Sequence, residues 1–221
     1  MFCGEPIPVL TLCCDRCREE IPFIRPPICG LCGASREDCM CGRHRHRYDR
    51  IVSPFYCTEA VHRGILNLKR WDDPQAIAFF AGQMAAVVRR ELHGEAMDAV
   101  TFIPMTARDK RERGYNQGEL LARDVAKALS LPCVEMLTKC YQTKPQKILR
   151  AVERQGNILG AFDVCDGVDV TDKTILLVDD VITTGATADE CAKMLKLYGA
   201  KRVLCVTASV RHRSEDEEEP V

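Results

Sequence analysis

Apolar positions along the chain change period several times, and each change marks an element. From Cys57 to Arg70, Val61, Ile65 and Leu68 recur at helical spacing. A second helix opens with Asp73 as its cap and Pro74 in its first turn, and its apolar stripe runs through Ile77, Phe80, Met84, Val87 and Val88. Ala99 to Ile103 reads as a short buried strand ended by Pro104, and a helix follows from about Gln117 to Leu129. The pattern is sharpest from Ile175: a strand to Val178, a loop to Thr187, a helix to Tyr198 closed by Gly199, and a strand from Val203 to Ala208. Strand, helix and strand with short links make a βαβ unit, whose crossover sets its strands parallel. The expected fold is therefore α/β, a parallel sheet flanked by helices on both faces, with a ligand crevice beyond the carboxyl ends of the strands.

The length of 221 residues, 46% of them hydrophobic, allows one main domain and a small appendage. Cysteine and arginine density falls near Tyr48 to Pro54. The expected division is a cysteine-rich module over 1–50, the main domain over 51–213 and an acidic tail over 214–221. Formal charge is −1, but that tail holds five acids, so residues 1–213 carry about +4. No run approaches the roughly 18 apolar residues of a membrane span, and no leader pattern opens the chain, which predicts no membrane insertion and a cytoplasmic location.

Of 14 cysteines, nine lie between Cys3 and Cys57. In a reducing compartment thiols at short spacing are metal ligands sooner than disulfides. Cys14-x-x-Cys17 and Cys29-x-x-Cys32 have the spacing that lets one tight turn present two sulfurs to a tetrahedral Zn²⁺, and Cys39-x-Cys41 follows. Cys29, Cys32, Cys39 and Cys41 can complete one site, while Cys3, Cys13, Cys14 and Cys17 offer an irregular second one, and the sequence leaves the sets open. So few large apolar residues surround them that the metal would supply much of the folding energy. His44 and His46 are reserve ligands, read first as part of a solvated basic face. The later Cys133, Cys140, Cys165, Cys191 and Cys205 read as small buried hydrophobes.

Residues 175–187, Ile-Leu-Leu-Val-Asp-Asp-Val-Ile-Thr-Thr-Gly-Ala-Thr, carry the chemistry. Two adjacent carboxylates at the exit of a buried strand repel one another unless hydroxyls, water or a cation lie near. The turn behind them offers the hydroxyls of Thr183, Thr184 and Thr187, a Gly185 free to take positive φ, and the amides of a helix N-terminus, which is a phosphate cradle. A ribose 5-phosphate satisfies both halves. The motifs of other nucleotide sites, G-x-x-x-x-G-K-[ST] and a G-x-G-x-x-G after a strand, are absent.

This stretch resembles the signature of type I phosphoribosyltransferases, which bind phosphoribosyl pyrophosphate (PRPP). Ile103-Pro104-Met105, Arg111 to Gln117, then Gln146, Leu149, Glu153, Arg154 and Asn157 ahead of Gly160-Ala-Phe162, together with Leu68-Lys69 and the cysteines, are similar to the ComF family of competence-associated, amidophosphoribosyltransferase-like proteins. That family carries an N-terminal zinc ribbon; here the last knuckle is Cys-x-Cys where the family usually has Cys-x-x-Cys, and Tyr115 replaces a common phenylalanine. The resemblance implies that Asp179 and Asp180 take the ribose hydroxyls, that Thr183, Thr184, Gly185, Ala186 and Thr187 bind the 5-phosphate mostly through backbone amides, and that Val178 is among the PRPP-binding residues. It implies Mg²⁺ with the substrate and structural Zn²⁺ in the module. Pro104, Met105 and Thr106 would lie against pyrophosphate, with Arg108, Lys110, Arg111 and Arg113 as the nearest positive cluster and Arg113 a catalytic candidate beside the two aspartates. Segment 143–157 would be either a flap bringing in Gln146 and Arg154 or a plain surface helix.

Two functions follow. One is transfer of the phosphoribosyl group to an unidentified nitrogen acceptor; the other is a sensor of PRPP or ribose 5-phosphate in DNA uptake, with a competence-machinery partner. In the sensor reading the zinc module and the basic stretch 43–50 contact single-stranded DNA, with Tyr48, Phe55 and Tyr56 as stacking candidates. An assembly adaptor with a vestigial pocket is a third reading.

Overall fold

In the computed structural model, residues 19, 21–39, 41, 45–71, 74–139 and 161–211 are described. Every side chain from Thr174 to Val178 is buried, the condition of a strand covered on both faces. That strand, β6 (Thr174–Ile182), lies between β7 (Arg202–Val210) and β3 (Ala99–Phe102), all parallel. Two short strands, β1 (Arg50–Val52) and β2 (Phe55–Tyr56), both pair parallel with the far side of β7. Pro54 lies between them, and an edge is where a sheet tolerates proline. Beyond β3, the Val100 amide donates to the Pro132 carbonyl and the Val134 amide to the Val100 carbonyl, both at 2.9 Å, so that edge is covered too.

Helices α1 (Glu59–Trp71) and α2 (Pro74–Glu91) lead from β2 to β3. A short α3 (Ala107–Arg113) and α4 (Gln117–Leu129) follow β3, and α5 (Ala186–Leu197) joins β6 to β7. An antiparallel pair, β4 (Leu137–Lys139) and β5 (Phe162–Val164), forms a separate ribbon. The right-handed crossovers that parallel sheets favour would put α2 and α4 on one face and α5 with the ribbon on the other, and the packing agrees: α2 lies on α4, and α5 on β5. Phe55, Phe79 and Phe80 form the centre of the first face, with ring centroids 5.5 to 6.1 Å apart. Phe55 and Phe80 are fully buried, and each such side chain contributes about 1.5–3 kcal/mol.

The expected α/β architecture is the one observed, with three differences. The strand expected to end at Val178 runs on to Ile182, because β7 keeps pairing with it through Ile182 opposite Val210. The basic stretch after Pro104 is a helix, with the Thr106 hydroxyl accepting the Asp109 amide at 3.0 Å and Gly114 at φ 85° closing it. The ribbon β4–β5 has too few residues to show a period. Cys191 and Cys205 are buried as expected, and Cys133 and Cys165 are only half-buried. Cys140, the cap assigned to Asp73 and the tail 214–221 lie outside the described residues. Among the described residues no helix is long and apolar enough to cross a membrane.

Candidate functional site

Strand β3 stops at Phe102, opposite Val178, while β6 continues four residues further with only β7 beside it. Asp179 and Asp180 stand on that step. Adjacent strand residues point to opposite faces, and the two acids divide accordingly. Asp180 is buried at 8% exposure and accepts from Gln117 Nε2 of α4 at 3.2 Å. Asp179 is half-buried and pairs in register with Thr207. Each carboxylate accepts the amide of the next residue, Asp179 from Asp180 at 2.8 Å and Asp180 from Val181 at 2.7 Å. Val178 is wholly buried between the neighbouring strands and presents no side chain to a ligand.

The turn into α5 exposes Thr183, Thr184, Ala186 and Thr187 and buries Gly185. Gly185 is the N-cap at φ 79° and contributes no side-chain cap; the Asp189 amide bonds to its carbonyl at 2.8 Å to begin the helix. Within the turn the Ala186 amide donates to the Thr184 hydroxyl at 3.4 Å, and the amides that follow it, with the positive end of the helix dipole, are left for whatever lies in front of the turn. Behind the turn there is no room: a Cβ on Gly185 would stand 3.0 Å from Tyr48 Oη and 3.3 Å from His46 Cε1. The bend is thus packed from one side and open on the other.

Pro104 is buried and Met105 and Thr106 are half-buried in the short loop from β3 to α3. The Thr106 hydroxyl is committed to capping α3. Arg108 pairs with Glu112 at 2.8 Å, Lys110 with Glu119 at 3.2 Å, and Arg111 Nε donates to the Ala107 carbonyl at 3.2 Å. The positive cluster is thus partly neutralised by its own neighbours. Arg113 ends α3, and its side chain lies outside the described residues, as do Gln146, the whole of 143–157, His44, and Cys3, Cys13, Cys14 and Cys17.

In the N-terminal region Cys29, Cys32, Cys39 and Cys41 bring four sulfurs within 4.8 Å of one another. Individual separations are 3.0 to 3.7 Å. Sulfurs at about 2.3 Å around a tetrahedral zinc stand about 3.8 Å apart, so the set fits that ion with little adjustment. Burial opposes ionisation of Cys29, yet the amides of Leu31 and Cys32 and the thiols of Cys39 and Cys41 bring it down to about 7. Burial and its thiol neighbours push Cys41 up to about 12. A cation among them removes that conflict by favouring thiolates throughout.

Several sequence expectations fail here. Tyr48 is 2% exposed and Phe55 is fully buried, so neither can stack on a base; Tyr56 alone of the three is partly open. His46 is not on a solvated face: its side chain is 17% exposed, stacks on Tyr48 with centroids 4.5 Å apart, and faces Asp189 of α5 at 3.7 Å. Sequence reasoning misses the role of Gln117 beside Asp180 and the seating of His46 and Tyr48 on Gly185. Gln117 lies within the family-like stretch Arg111 to Gln117, which is its one signal; nothing local marks the other contact.

Residues 116–220 match the phosphoribosyl transferase domain family. The chain is 26% identical to Competence protein F of Haemophilus influenzae, over 86% of each chain. It is 28% identical to DNA utilization protein YhgH of Salmonella typhimurium, over 88% of this chain and 87% of that one. Against Competence protein ComFC of Streptococcus pneumoniae it is 36% identical over 46% of this chain and 43% of that one. Among solved structures, adenine phosphoribosyltransferase from Saccharomyces cerevisiae aligns at 14% identity and TM-score 0.44, over 63% of this chain and 71% of that chain. Glutamine PRPP amidotransferase from B. subtilis aligns at 23% identity and TM-score 0.41, over 60% of this chain and 26% of that one, so this chain spans about a quarter of that enzyme.

Proposed function

Since the chain belongs to the ComF family and carries a phosphoribosyl transferase domain with an N-terminal four-cysteine cluster, we propose that it binds PRPP with Mg²⁺ in the cytoplasm and transfers the phosphoribosyl group to a nitrogen acceptor. The observation that carries this reading is the step at the end of β6. Two carboxylates stand where the neighbouring strand has stopped, directly before a turn that exposes Thr183, Thr184, Ala186 and Thr187.

In this reading the exposed turn takes the 5-phosphate through its amides and hydroxyls, and the carboxylates of Asp179 and Asp180, which leave β6 on opposite faces beyond the end of β3, take the ribose hydroxyls from the two sides of the strand end. The two acids supply hard oxygen donors suited to Mg²⁺, an ion that keeps several waters and substrate oxygens of its own. The bond from C1 to pyrophosphate breaks with its electron pair on the leaving oxygen. The acceptor nitrogen's lone pair forms the new bond at C1, and that nitrogen then loses a proton to water. Charge builds on pyrophosphate, beside the loop Pro104 to Thr106, and Arg111 and Arg113 are the cations assigned to offset it. Gln146 is the residue assigned to the flap.

Calorimetry with PRPP and Mg²⁺ tests the site. The unsubstituted chain should bind, and Asp180→Asn should bind at least about tenfold more weakly, the loss of one charge-assisted hydrogen bond. Equal binding by both chains would show the acids assigned wrongly, and binding by neither would end the reading.

A second reading, contact with single-stranded DNA through the cysteine module, is favoured by one observation. Phe23 is 49% exposed beside Arg25 in a cleft of about 530 Å³ that Tyr56, Glu37 and Asp38 also line, so a strand would be held on its Phe23 and Arg25 part, away from the two carboxylates. The relatives named for competence and DNA utilization point the same way. Filter binding of a labelled single strand should weaken steeply as salt rises, and Phe23→Ala should hold the strand more weakly at every salt concentration. No retention of the strand at low salt would remove this reading.

A further inference from the structure

The turn that holds the candidate phosphate site and the turn that holds the cysteine cluster lie near opposite ends of the chain, yet a single side chain touches both. Tyr48 Oη donates to the Leu31 carbonyl at 2.6 Å, inside the Cys29-x-x-Cys32 knuckle. The same oxygen is the nearest obstacle to a side chain on Gly185. Burial holds its phenol well above the usual range, so it stays a hydrogen-bond donor.

The contact is braced on both sides. His46 stacks on the Tyr48 ring at an interplanar angle of 10° and faces Asp189, whose carboxylate also accepts the Arg47 amide. On the other side, Asp49 accepts from Lys196 of α5 at 2.9 Å and from the Val203 amide at 2.8 Å. The knuckle itself is tied to β1, the Ile51 amide donating to the Gly30 carbonyl at 2.9 Å. Residues 46–49 therefore form a strap laid across both ends of α5, with one bond running into the metal knuckle.

We propose that Tyr48 is a positioning residue through which the cysteine cluster sets the shape of the 183–187 turn, so that metal occupancy regulates affinity for the phosphate of the ligand. This rests on the reading of that turn as a phosphate site. The mechanism needs no direct contact between Tyr48 and ligand. Cys29, Cys32, Cys39 and Cys41 would hold a zinc that stiffens the knuckle; the Leu31 carbonyl fixes the phenol, and the ring packs on Gly185 behind the turn. A loosened ring leaves the turn to sample other conformations, and the ligand's apparent affinity falls by the fraction of time lost to them.

The test uses the full chain in its zinc-loaded form. Tyr48→Phe keeps the ring and removes the bond to Leu31. It should retain its zinc and bind Mg²⁺-PRPP about fivefold more weakly, the worth of one hydrogen bond. Stripping zinc from the unsubstituted chain should weaken binding at least as much, and stripping it from Tyr48→Phe should add less than the two separate losses predict. Affinity within twofold of the unsubstituted chain, or losses that simply add, would overturn the proposal.

Hydrogen exchange of the 183–190 amides without any ligand gives a second readout. Faster exchange in Tyr48→Phe supports the coupling and unchanged exchange overturns it. If the unsubstituted chain binds no PRPP, the reading of the site falls, and the coupling is decided by exchange alone.

Discussion

At Gly185 the backbone sits at φ 79°, a region that costs an L-residue about 1–2 kcal/mol, and Tyr48 Oη occupies the space a methyl group would need. Gly185→Ala should therefore lose at least ~1 kcal/mol in urea unfolding, read as a lower midpoint with an unchanged slope. Glu119 responds to pH instead. Burial alone would raise its carboxyl, but the Arg123 guanidinium and the Lys110 ammonium hold it below the ordinary 4.5. A carboxyl depressed in the folded state stabilises above its unfolded value and loses that contribution as pH falls through its folded value. Because Lys110 and Arg123 are 48% and 65% exposed, Glu119→Gln should cost only ~0.5–1 kcal/mol at pH 7. The difference from the unsubstituted chain should shrink in titrations below pH 4.5 and in molar salt; a difference that grows on acidification would contradict the ion-pair account. At this scale the sequence shows what adjacency can show: two neighbouring acids and a glycine in a hydroxyl-rich turn. It cannot show that Tyr48 lies on Gly185 or that Gln117 reaches Asp180, since contacts between such distant positions leave no local period.

Elements are legible where hydrophobic burial alone fixes them. The helix Gln117–Leu129 is expected and found over the same residues, and its buried Leu121, Ala122, Val125 and Ala126 are the stripe that lies on α2, β3 and β6. The end of β6 is harder to place because charges read as a loop, whereas pairing with β7 carries the strand past both aspartates. The α3 turn escapes detection for a related reason: no face of Ala107–Arg113 is apolar, and its helix rests on caps and ion pairs. Between these elements Asn116 does two jobs. Its Oδ1 accepts the Gly118 amide at 2.9 Å to cap α4, and its Nδ2 donates to the Ile103 carbonyl at 3.1 Å in the loop after β3. It is 4% exposed, so water cannot replace either bond cheaply. Asn116→Ala should cost about 1–3 kcal/mol in chemical denaturation. Asn116→Asp keeps the cap acceptor but sets a buried carboxylate oxygen against the Ile103 carbonyl, so at neutral pH it should be no more stable than the alanine variant; an alanine variant as stable as the original would show the cap to be incidental.

Over the whole molecule, the cysteine region is built into the edge of the sheet. Phe23 pairs antiparallel with Phe55, the Ile24 amide donates to the Pro54 carbonyl at 2.9 Å, and the Tyr56 amide to the Pro22 carbonyl at 3.0 Å. Ile21, Ile24 and Ile28 are buried in the same core as β1 and β7. A module hung on a flexible linker would unfold alone when its metal is removed; one that shares a core and covers a strand edge transmits the loss. Chelation should thus lower the melting temperature of the main cooperative transition by roughly 5 °C or more, and Cys32→Ser should do the same while reducing bound zinc by one ion per chain. Because zinc binds thiolates, acidification should release it, and the chelator effect should vanish where no metal remains. Calorimetric scans with and without chelator, paired with metal analysis, decide between the two arrangements. A separate low-temperature transition, with the main one unmoved, would mean that the edge contacts carry no stability into the sheet.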